Sequence, residues 1–211
     1  MRPMPTAMVG GSFDPIHRGH LHLLHTVATR TAYRRLILVP VGRNNFKPDA
    51  QPAPAQHRLA MIRLALDHYR TLYPLDSGLE LVVDECELNR TGISYTYDTV
   101  KDLYRLYPIE GRLAVVMGDD LLPDLGRWHN FDTLKKLVTF VVIRREEHGQ
   151  RFFDESAELI YLDNALMEDS STKIRDGLQQ VASGQALPDD LASLMSPEVV
   201  TYIEREQLYR H

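Results

Sequence analysis

Residues 6–20 read TAMVGGSFDPIHRGH, a short β-rich run that passes through two glycines into a turn and the start of a helix. Glycines at such a turn let backbone amides approach a phosphate closely, and the amino end of a helix adds a favourable dipole. His17 and His20 stand three positions apart, so both imidazoles face the same way once the helix has begun. The stretch therefore predicts a polyphosphate site, where the two rings donate hydrogen bonds to oxygens that gain charge during phosphoryl or nucleotidyl transfer.

Two other interpretations of the histidine pair stay open at this point. An HxxH pattern also suits two surface or half-buried histidines without a ligand. A metal site is the second alternative, because four histidines lie between positions 17 and 25. On a helix, however, His22 points roughly opposite to His17, and the stretch lacks the HExxH pattern of a zinc helix. We therefore assign no metal ligand, and we expect Asp14 or Ser12 to cap the helix.

The rest of the chain alternates short apolar runs with longer stretches of helical periodicity. Extended structure is predicted at 6–9, 35–39, 79–83, 87–88, 112–117, 138–143 and 159–162. Helices are predicted from the apolar stripes that begin near positions 21, 59 and 99, and at 171–182 and 197–207. This alternation predicts an α/β fold, a Rossmann-like doubly wound parallel sheet with helices on both faces. We expect one domain over residues 1–211, in which about 171–211 forms a helical C-terminal part.

Composition narrows the classes of function. The chain carries 24 Lys and Arg against 29 Asp and Glu, a net charge of −5, which argues against broad binding to nucleic acid. The single cysteine, Cys86, excludes an intrachain disulfide and favours a reducing compartment. No run approaches the ~18 consecutive apolar residues of a membrane span, and the amino end lacks a signal-peptide core. We therefore expect a cytoplasmic protein that acts on neither membranes nor nucleic acid.

Two segments that follow the extended structure predicted at 87–88 and at 112–117 carry further candidates. Ser94-Tyr95-Thr96 opens a predicted helix, where Ser94 alone would be an ordinary cap. Gly118 and Asp120 follow an apolar strand, at the end where ligands of parallel sheets bind. A carboxylate there holds a ribose or an adenine edge, or it simply starts a helix.

Two more segments lie further along the chain. The only tryptophan, Trp128, stands beside His129 in a polar stretch, where it either stacks on an aromatic ring or covers a core edge. Ser171 and Thr172 open a helix with Arg175 one turn in. This pattern indicates a second anion site, although Ser-Ser-Thr is also a routine helix cap.

Taken in order, these segments resemble the bacterial nicotinate-mononucleotide adenylyltransferases over nearly the whole chain. Residues 10–20 match the GG(S/T)FDPxHxGH motif of the nucleotidyltransferase superfamily, which is related to the HIGH motif of class I aminoacyl-tRNA synthetases. A strand ending in proline, then the Ser-Tyr-Thr, Gly-x-Asp, tryptophan and Ser-Thr-x-Ile-Arg segments follow, and a terminal V-x-x-Y-I…L-Y pattern ends at Tyr209.

The resemblance implies an adenylyltransferase that joins ATP to nicotinate mononucleotide and releases pyrophosphate, with Mg²⁺ accompanying ATP as co-substrate. The catalytic residues that it implies are His17, His20, Lys47 and Arg175. The implied ATP-binding residues are Gly10, Gly11, Ser12, Phe13, Gly118, Asp120, Ser171, Thr172 and Ile174. The implied neighbours of the pyridine ring are Thr96, Trp128 and His129. Two imidazoles, a glycine turn and a Ser-Thr-Arg cluster are thus expected around one triphosphate.

One segment departs from the family pattern. The family commonly has Pro-Pro-His-Lys after the second strand, where this chain has Asn44-Asn45-Phe46-Lys47. Lys47 keeps the cation, but the phosphate contact of the family's histidine has no counterpart in Phe46. Without the two prolines we also expect a less rigid loop.

Other functions stay open from the sequence. A sister nucleotidyltransferase, such as a phosphopantetheine adenylyltransferase or a cytidylyltransferase, shares mainly the first loop. A nucleotide-binding regulator without catalysis is the non-enzymatic alternative. The choice between nicotinate and nicotinamide mononucleotide, the metal and the formation of a homo-oligomer are not readable from these residues.

Overall fold

The computed structural model describes residues 2–42, 52–144, 151–162, 170–182 and 184–210. The chain packs into two compact units. The sheet unit comprises Met1–Gly11, Thr26–Asp49 and Gly78–Met167, and the helical unit comprises Ser12–His25, Ala50–Ser77 and Glu168–His211. The expectation of one domain over 1–211 stays a prediction. Within the described residues no helix has the length and apolar character needed to cross a membrane.

A parallel sheet forms the centre of the sheet unit. Its strands are β1 Thr6–Gly11, β2 Arg35–Pro40, β3 Glu80–Val83, β4 Leu113–Gly118, β5 Val138–Ile143 and β6 Glu158–Leu162. They pair in the order β3-β2-β1-β4-β5-β6, and every pairing is parallel. The central strands β2, β4 and β5 are buried along their whole length, as expected where both faces of a sheet are covered. The predicted α/β doubly wound fold is confirmed.

Helices follow the strands in the alternation that the sequence predicts. They are α1 Arg18–Arg30, α2 Ala55–Leu72, α3 Thr96–Leu106, α4 Phe131–Leu137, α5 Ser171–Gln179, α6 Asp189–Ala192 and α7 Pro197–Glu206, with 3-10 turns at Pro74–Asp76 and Asp119–Arg127. Helices α3 and α4 belong to the sheet unit, and α2 with α5 to α7 belong to the helical unit. Helix α1 begins in the helical unit and ends in the sheet unit.

Alternate side chains of the strands build the core of the sheet unit. Because successive residues of a strand face opposite sides, Val138, Phe140 and Val142 point to one face, with Ile37 of β2 in the same cluster. Val100 and Leu103 of α3 and Leu134 of α4 fill the cluster from their helices. Leu106, the last residue of α3, is 53% exposed.

Pairing between α2 and α7 organises the helical unit. Met61, Ile62, Ala65 and Tyr69 of α2 are buried, as are Val199 and Ile203 of α7. The hydroxyl of Tyr202 lies 2.9 Å from Nδ1 of His57, and Oε2 of Glu198 lies 3.2 Å from Nδ1 of His68, so polar contacts join the two helices beside the apolar ones. This pairing places the end of α7, and the residues after it, within the unit that also holds the histidine loop.

The predicted extended segment at 87–88 is wrong. Residues Cys86–Asn89 form a turn, because the Asp84 carboxylate accepts the Cys86 N–H at 2.9 Å and Asn89 N–H bonds to the Glu85 carbonyl. An aspartate that bonds the backbone two residues on favours a turn over a strand. The short helix α4 was not predicted, since its stretch of seven residues gives fewer than two turns of periodicity.

The strand order places the switch point of the sheet between β1 and β4. The chain adds β2 and β3 on one side of β1, then returns to add β4, β5 and β6 on the other. Val9 pairs with Val116, and the strands end two residues later at Gly11 and Gly118. Both glycines therefore lie at the carboxyl edge, where open α/β sheets bind ligands.

We predict that Gly42→Ala lowers the free energy of unfolding by about 1–3 kcal/mol, because the added methyl overpacks a backbone contact. A Cβ at Gly42 would lie 2.3 Å from the Glu87 carbonyl oxygen. Gly78→Ala is the matched control, since nothing lies within 4 Å of its Cβ. Denaturant unfolding of the two variants and the parent measures the difference. Equal stability of both variants would contradict the close approach at Gly42.

Candidate active site

His17 closes the first loop and caps helix α1. Its Nδ1 accepts the backbone N–H of Gly19 at 3.1 Å, the position at which a side-chain oxygen usually satisfies the first turn of a helix. The expected caps do not act here: Ser12 is exposed, and the Asp14 carboxylate is bound by other segments. The cap orients the His17 ring, which is 7% exposed.

Backbone amides decide the tautomers of both histidines. Nδ1 of His20 accepts the N–H of His17 at 3.2 Å, as Nδ1 of His17 accepts that of Gly19. Since an amide N–H can only donate, each neutral ring carries its proton on Nε2. The ring centroids lie 3.9 Å apart, which confirms that the two imidazoles come together. The loop therefore offers two Nε2–H donors, the type of group that stabilises oxygens gaining negative charge.

Phe13 supports this arrangement from inside the loop. Its ring is 1% exposed and meets the His20 ring edge-on, with centroids 5.0 Å apart. Its φ of 47° lies in the left-handed region, which is uncommon for a residue with a side chain. Such a conformation persists only where the surrounding contacts hold it, and it is typical of binding loops.

Asp14 connects the histidine loop to other segments of the helical unit. Its carboxylate is buried, and Oδ1 accepts the Ala53 N–H at 3.1 Å and the Tyr209 hydroxyl at 2.7 Å. Arg58, itself 3% exposed, donates from Nε to the Ala53 carbonyl and from Nη1 to the Ser12 carbonyl. Burial lowers the pKa of Arg58, while the Asp14 charge opposes that shift. The start of α2 and the loop are thereby joined through one cation.

The start of helix α5 lies against the same loop. Ser171 donates from Oγ to the Pro15 carbonyl at 3.0 Å, and Arg175 donates from Nη1 to the Asp14 carbonyl at 2.6 Å. Ser170 caps the helix by accepting the Lys173 N–H, so the serine run is both a cap and an anchor. The structure therefore brings Ser171 and Arg175 against the histidine loop, and their contacts with a triphosphate stay predictions.

In the sheet unit, the carboxyl edge carries a second group of candidates. Gly118 is buried at the end of β4, and Asp120 is exposed in the 3-10 turn that follows. Asp119 between them is 2% exposed. Gly11 ends β1, and its carbonyl accepts the Val41 N–H at 2.9 Å. The edge between β1 and β4 thus combines two glycines with an accessible carboxylate, which suits a nucleoside.

Aromatic rings gather near the start of α3 in the same unit. His129 stacks on Tyr95 with centroids 4.3 Å apart, and Tyr97 meets the His129 ring edge-on at 6.2 Å. Trp128 meets Phe140 of the core edge-on, with ring centroids 6.3 Å apart. This contact agrees with the alternative prediction, in which the tryptophan covers an edge of the core. Thr96 is the first residue of α3, and Tyr95 rather than Ser94 stands at its cap position. The group provides planar surfaces on which an aromatic ligand could stack.

The buried carboxylate of Glu87 bonds to helix α3, beside whose start the aromatic group lies. The Thr99 hydroxyl donates to Oε1 of Glu87 at 2.7 Å, and Arg90 donates to the same hydroxyl at 3.2 Å. Burial raises the pKa of Glu87, while the hydrogen bond from Thr99 and the charge of Arg90 oppose that shift. The first turn of α3 is therefore tied to the loop after β3.

Comparison with known proteins identifies the family. Residues 8–177 match the family model described as cytidylyltransferase-like, which covers most of the chain. The chain belongs to the cytidylyltransferase-like family. The match includes both the histidine loop and the start of α5.

Several proteins are similar to this cytidylyltransferase-like chain. A probable nicotinate-nucleotide adenylyltransferase of Streptococcus pneumoniae is 31% identical over 203 residues, covering 96% of this chain and 87% of that protein. One of Dehalococcoides mccartyi is 38% identical over 103 residues, and in that match the chain spans about half of the relative, 46% of its length. The structure of a Plasmodium falciparum nicotinic acid mononucleotide adenylyltransferase with NaAD is 21% identical, with a TM-score of 0.76 over 98% of this chain and 97% of that one. This likeness shows a shared fold.

Some of the predicted residues of this cytidylyltransferase-like protein are not tested by the geometry. Lys47 and the segment Asn44-Asn45-Phe46 lie outside the described residues. Ile174 is fully buried in the helical unit, and Thr172 accepts from Arg175 through its hydroxyl at 3.3 Å. The ligand contacts assigned to these residues stay predictions, as do those of Trp128.

Sequence reasoning missed several supporting residues. Arg58 gave no signal, since an arginine within an amphipathic helix is usually exposed. Tyr95 stood inside the quoted Ser-Tyr-Thr segment, and Tyr209 ended the terminal pattern, yet neither contact was readable. Each depends on a residue that is distant in sequence, namely His129 for Tyr95 and Asp14 for Tyr209.

We predict that His17 and His20 are both Nε2–H tautomers when neutral. Long-range proton–nitrogen NMR on nitrogen-15-labelled protein at alkaline pH should place Nε2 in the protonated range of ring-nitrogen shifts and Nδ1 in the unprotonated range. His17→Gln and His20→Gln assign the signals. A protonated Nδ1 in either ring would contradict the amide contacts described above.

Proposed function

We propose that this protein is a nicotinate-nucleotide adenylyltransferase, which condenses ATP with nicotinate mononucleotide to deamido-NAD and pyrophosphate during NAD biosynthesis in the cytoplasm. The observation that carries the proposal is the pair of Nε2–H donors on a loop to which Ser171 and Arg175 are bonded. The S. pneumoniae relative, similar over 96% of this chain, supports the choice of substrates.

The helical unit would bind the triphosphate. His17 and His20 donate hydrogen bonds to phosphate oxygens, and Arg175 adds a positive charge. The backbone of Ser12 and Phe13 lines the loop, and Ser171 with Thr172 contributes amides at the amino end of α5, where a helix favours an anion. Lys47 is proposed as a further cation.

Most of the residues proposed to contact the two ring systems belong to the sheet unit. Gly10, Gly11, Gly118 and Asp120 stand at or beside the switch point of the sheet and are assigned to ATP, with the Asp120 carboxylate on the ribose or the adenine edge. Ile174, in α5, is assigned to adenosine as well. For the pyridine mononucleotide, Thr96 and the two residues Trp128 and His129 surround the ring, and the Tyr95–His129 stack adds an aromatic surface.

The chemistry needs no covalent intermediate on the protein. A phosphate oxygen of the mononucleotide attacks the α-phosphorus of ATP, a new P–O bond forms, and the bond to the β-phosphate breaks to release pyrophosphate. The attacking group is already an anion at neutral pH, so no general base is required. Catalysis then consists of positioning and of stabilising the charge on the phosphate oxygens.

Magnesium belongs to the substrate side of this proposal. Within the described residues no group of three or more His, Cys, Asp or Glu is placed to hold a metal ion. The Asp14 carboxylate, the acidic side chain of the histidine loop, is already bound by Ala53 and Tyr209. Mg²⁺ usually keeps several waters and binds through substrate phosphates, so we propose that it arrives on ATP and screens the charge of the triphosphate.

We predict pyrophosphate release when the protein is given ATP, Mg²⁺ and nicotinate mononucleotide. Parallel reactions with nicotinamide mononucleotide, phosphopantetheine and CTP separate the proposal from the sister activities. If pyrophosphate were released only with one of those other substrates, the protein would be assigned the corresponding sister activity. ATP binding without pyrophosphate release would favour a regulator.

His17→Ala should lower kcat by about 10²–10³-fold, because it removes one preorganised donor to the transition state. Circular dichroism and thermal unfolding check that the fold is retained. His22→Ala is the matched control, since it removes an imidazole from the helix that His17 caps but lies outside the proposed site. Near parental turnover of His17→Ala would exclude the assigned role.

Trp128→Ala should raise the KM for the pyridine nucleotide about 3–10-fold and leave the KM for ATP little changed, which is the loss expected for an aromatic stack. Initial rates with each substrate varied in turn measure the split. Phe153→Ala removes another ring of the sheet unit, 90% exposed, and serves as the control. If only the KM for ATP changed, Trp128 would not be a neighbour of the pyridine ring.

A further inference from the structure

The residues after α7 turn back and are anchored within the helical unit. Gln207 and Tyr209 adopt left-handed φ values of 51° and 64°, which reverse the chain direction at the end of the helix. Arg210 donates from Nη1 to the carbonyl of Gln185 at 2.8 Å and to that of Ala182 at 3.4 Å. Gln185 and Ala182 belong to the connection that follows α5. The final turn is therefore a defined structural element.

This turn delivers the Tyr209 hydroxyl to Asp14. The hydroxyl donates to Oδ1 at 2.7 Å, next to the Ala53 N–H, which donates to the same oxygen at 3.1 Å. Burial of Tyr209 and the Asp14 charge both raise the pKa of the phenol well above its usual value, so it stays a proton donor. Two donors on one oxygen fix the rotation of the carboxylate in a buried site.

Rotation of that carboxylate decides how closely it pairs with Arg175. Oδ2 and Nη1 of Arg175 form an ion pair at 3.7 Å, which is longer than a hydrogen bond, while the same Nη1 donates to the Asp14 main-chain carbonyl at 2.6 Å. Without the Tyr209 donor on Oδ1, the carboxylate is free to turn and shorten this ion pair into a hydrogen bond to the guanidinium. That hydrogen bond would occupy a guanidinium N–H that an anionic ligand needs.

We propose that Tyr209 is a positioning residue of the phosphate site, whose hydroxyl keeps the Asp14 carboxylate from forming a hydrogen bond with Arg175 and so leaves guanidinium N–H groups directed to an anionic ligand. Tyr209 acts through Asp14 and Arg175, and it does not touch the reacting atoms. The inference rests on the proposed function only where the ligand is identified as the triphosphate of ATP.

Tyr209→Phe tests the proposal, with Tyr202→Phe as the matched control. Each variant loses one phenolic hydroxyl of the helical unit, and Tyr202 bonds His57 rather than the histidine loop. We expect Tyr209→Phe to lower kcat/KM for ATP on the order of tenfold, the range for a hydrogen bond to a charged group. Tyr202→Phe should stay within about twofold.

A double-mutant cycle with Arg175→Lys separates positioning from a general loss of stability. If Tyr209 acts through Arg175, its substitution has little further effect in the Arg175→Lys background, whereas the effects of Tyr202→Phe and Arg175→Lys multiply. Full multiplication of the Tyr209→Phe and Arg175→Lys effects would overturn the proposal. Parental kcat/KM in Tyr209→Phe would overturn it as well.

Amide hydrogen exchange provides a readout that needs no activity. Tyr209→Phe should speed exchange at the Ala53 amide and across the peptide 12–20, while Tyr202→Phe should leave both unchanged. If the parent protein releases no pyrophosphate with any substrate, the proposed function fails, yet faster exchange in Tyr209→Phe alone still supports the positioning role. Unchanged exchange in Tyr209→Phe overturns that role whatever the activity.

Discussion

Asp14 joins three stretches of the helical unit that are far apart in sequence. Its carboxylate accepts from Ala53 at the approach to α2 and from Tyr209 beyond α7, and its carbonyl accepts from Arg175 of α5. A buried charge is costly unless hydrogen bonds satisfy it, so the buried Asp14 carboxylate needs these donors. The histidine loop is held between them. The conformation of the loop therefore depends on segments that fold from the middle and the end of the chain.

This dependence explains how two histidines become a preorganised donor pair. A surface imidazole changes tautomer and rotamer at little cost, whereas here each Nδ1 is taken by a backbone amide. The amides are fixed because α1 begins at Arg18 and the loop before it is anchored through Asp14. Donors that need no reorganisation during the reaction stabilise a developing charge more than mobile ones do. The backbone amides thus fix the tautomer and the orientation of these two rings, a role that a carboxylate has in many other sites.

The sequence predicted the parts of this architecture that depend on local patterns. Strands β1, β2, β4, β5 and β6 and the α5 start are confirmed with small shifts of their ends, because apolar runs and hydroxyl caps are local signals. The extended structure predicted at 87–88 was wrong, since the hydrogen bond that favours the turn observed there is accepted by the Asp84 side chain. The histidine loop was predicted as a site, but its partners Arg58 and Tyr209 were not. Those contacts form only in the packed structure, and no periodic pattern in the sequence indicates them.

Charge placement accounts for an anion site in a chain of net charge −5. Arg58 donates to two main-chain carbonyls, and Arg175 donates to a carbonyl and a hydroxyl while the Asp14 carboxylate stays 3.7 Å away. Carbonyl dipoles satisfy the hydrogen bonds of a guanidinium without cancelling its charge, and the one Asp14 carboxylate offsets only one of the two guanidinium charges. The contacts of the histidine loop described above therefore bring two cations against one carboxylate, although the whole protein is acidic. Local pairing, and not net charge, sets which ligand this loop can hold.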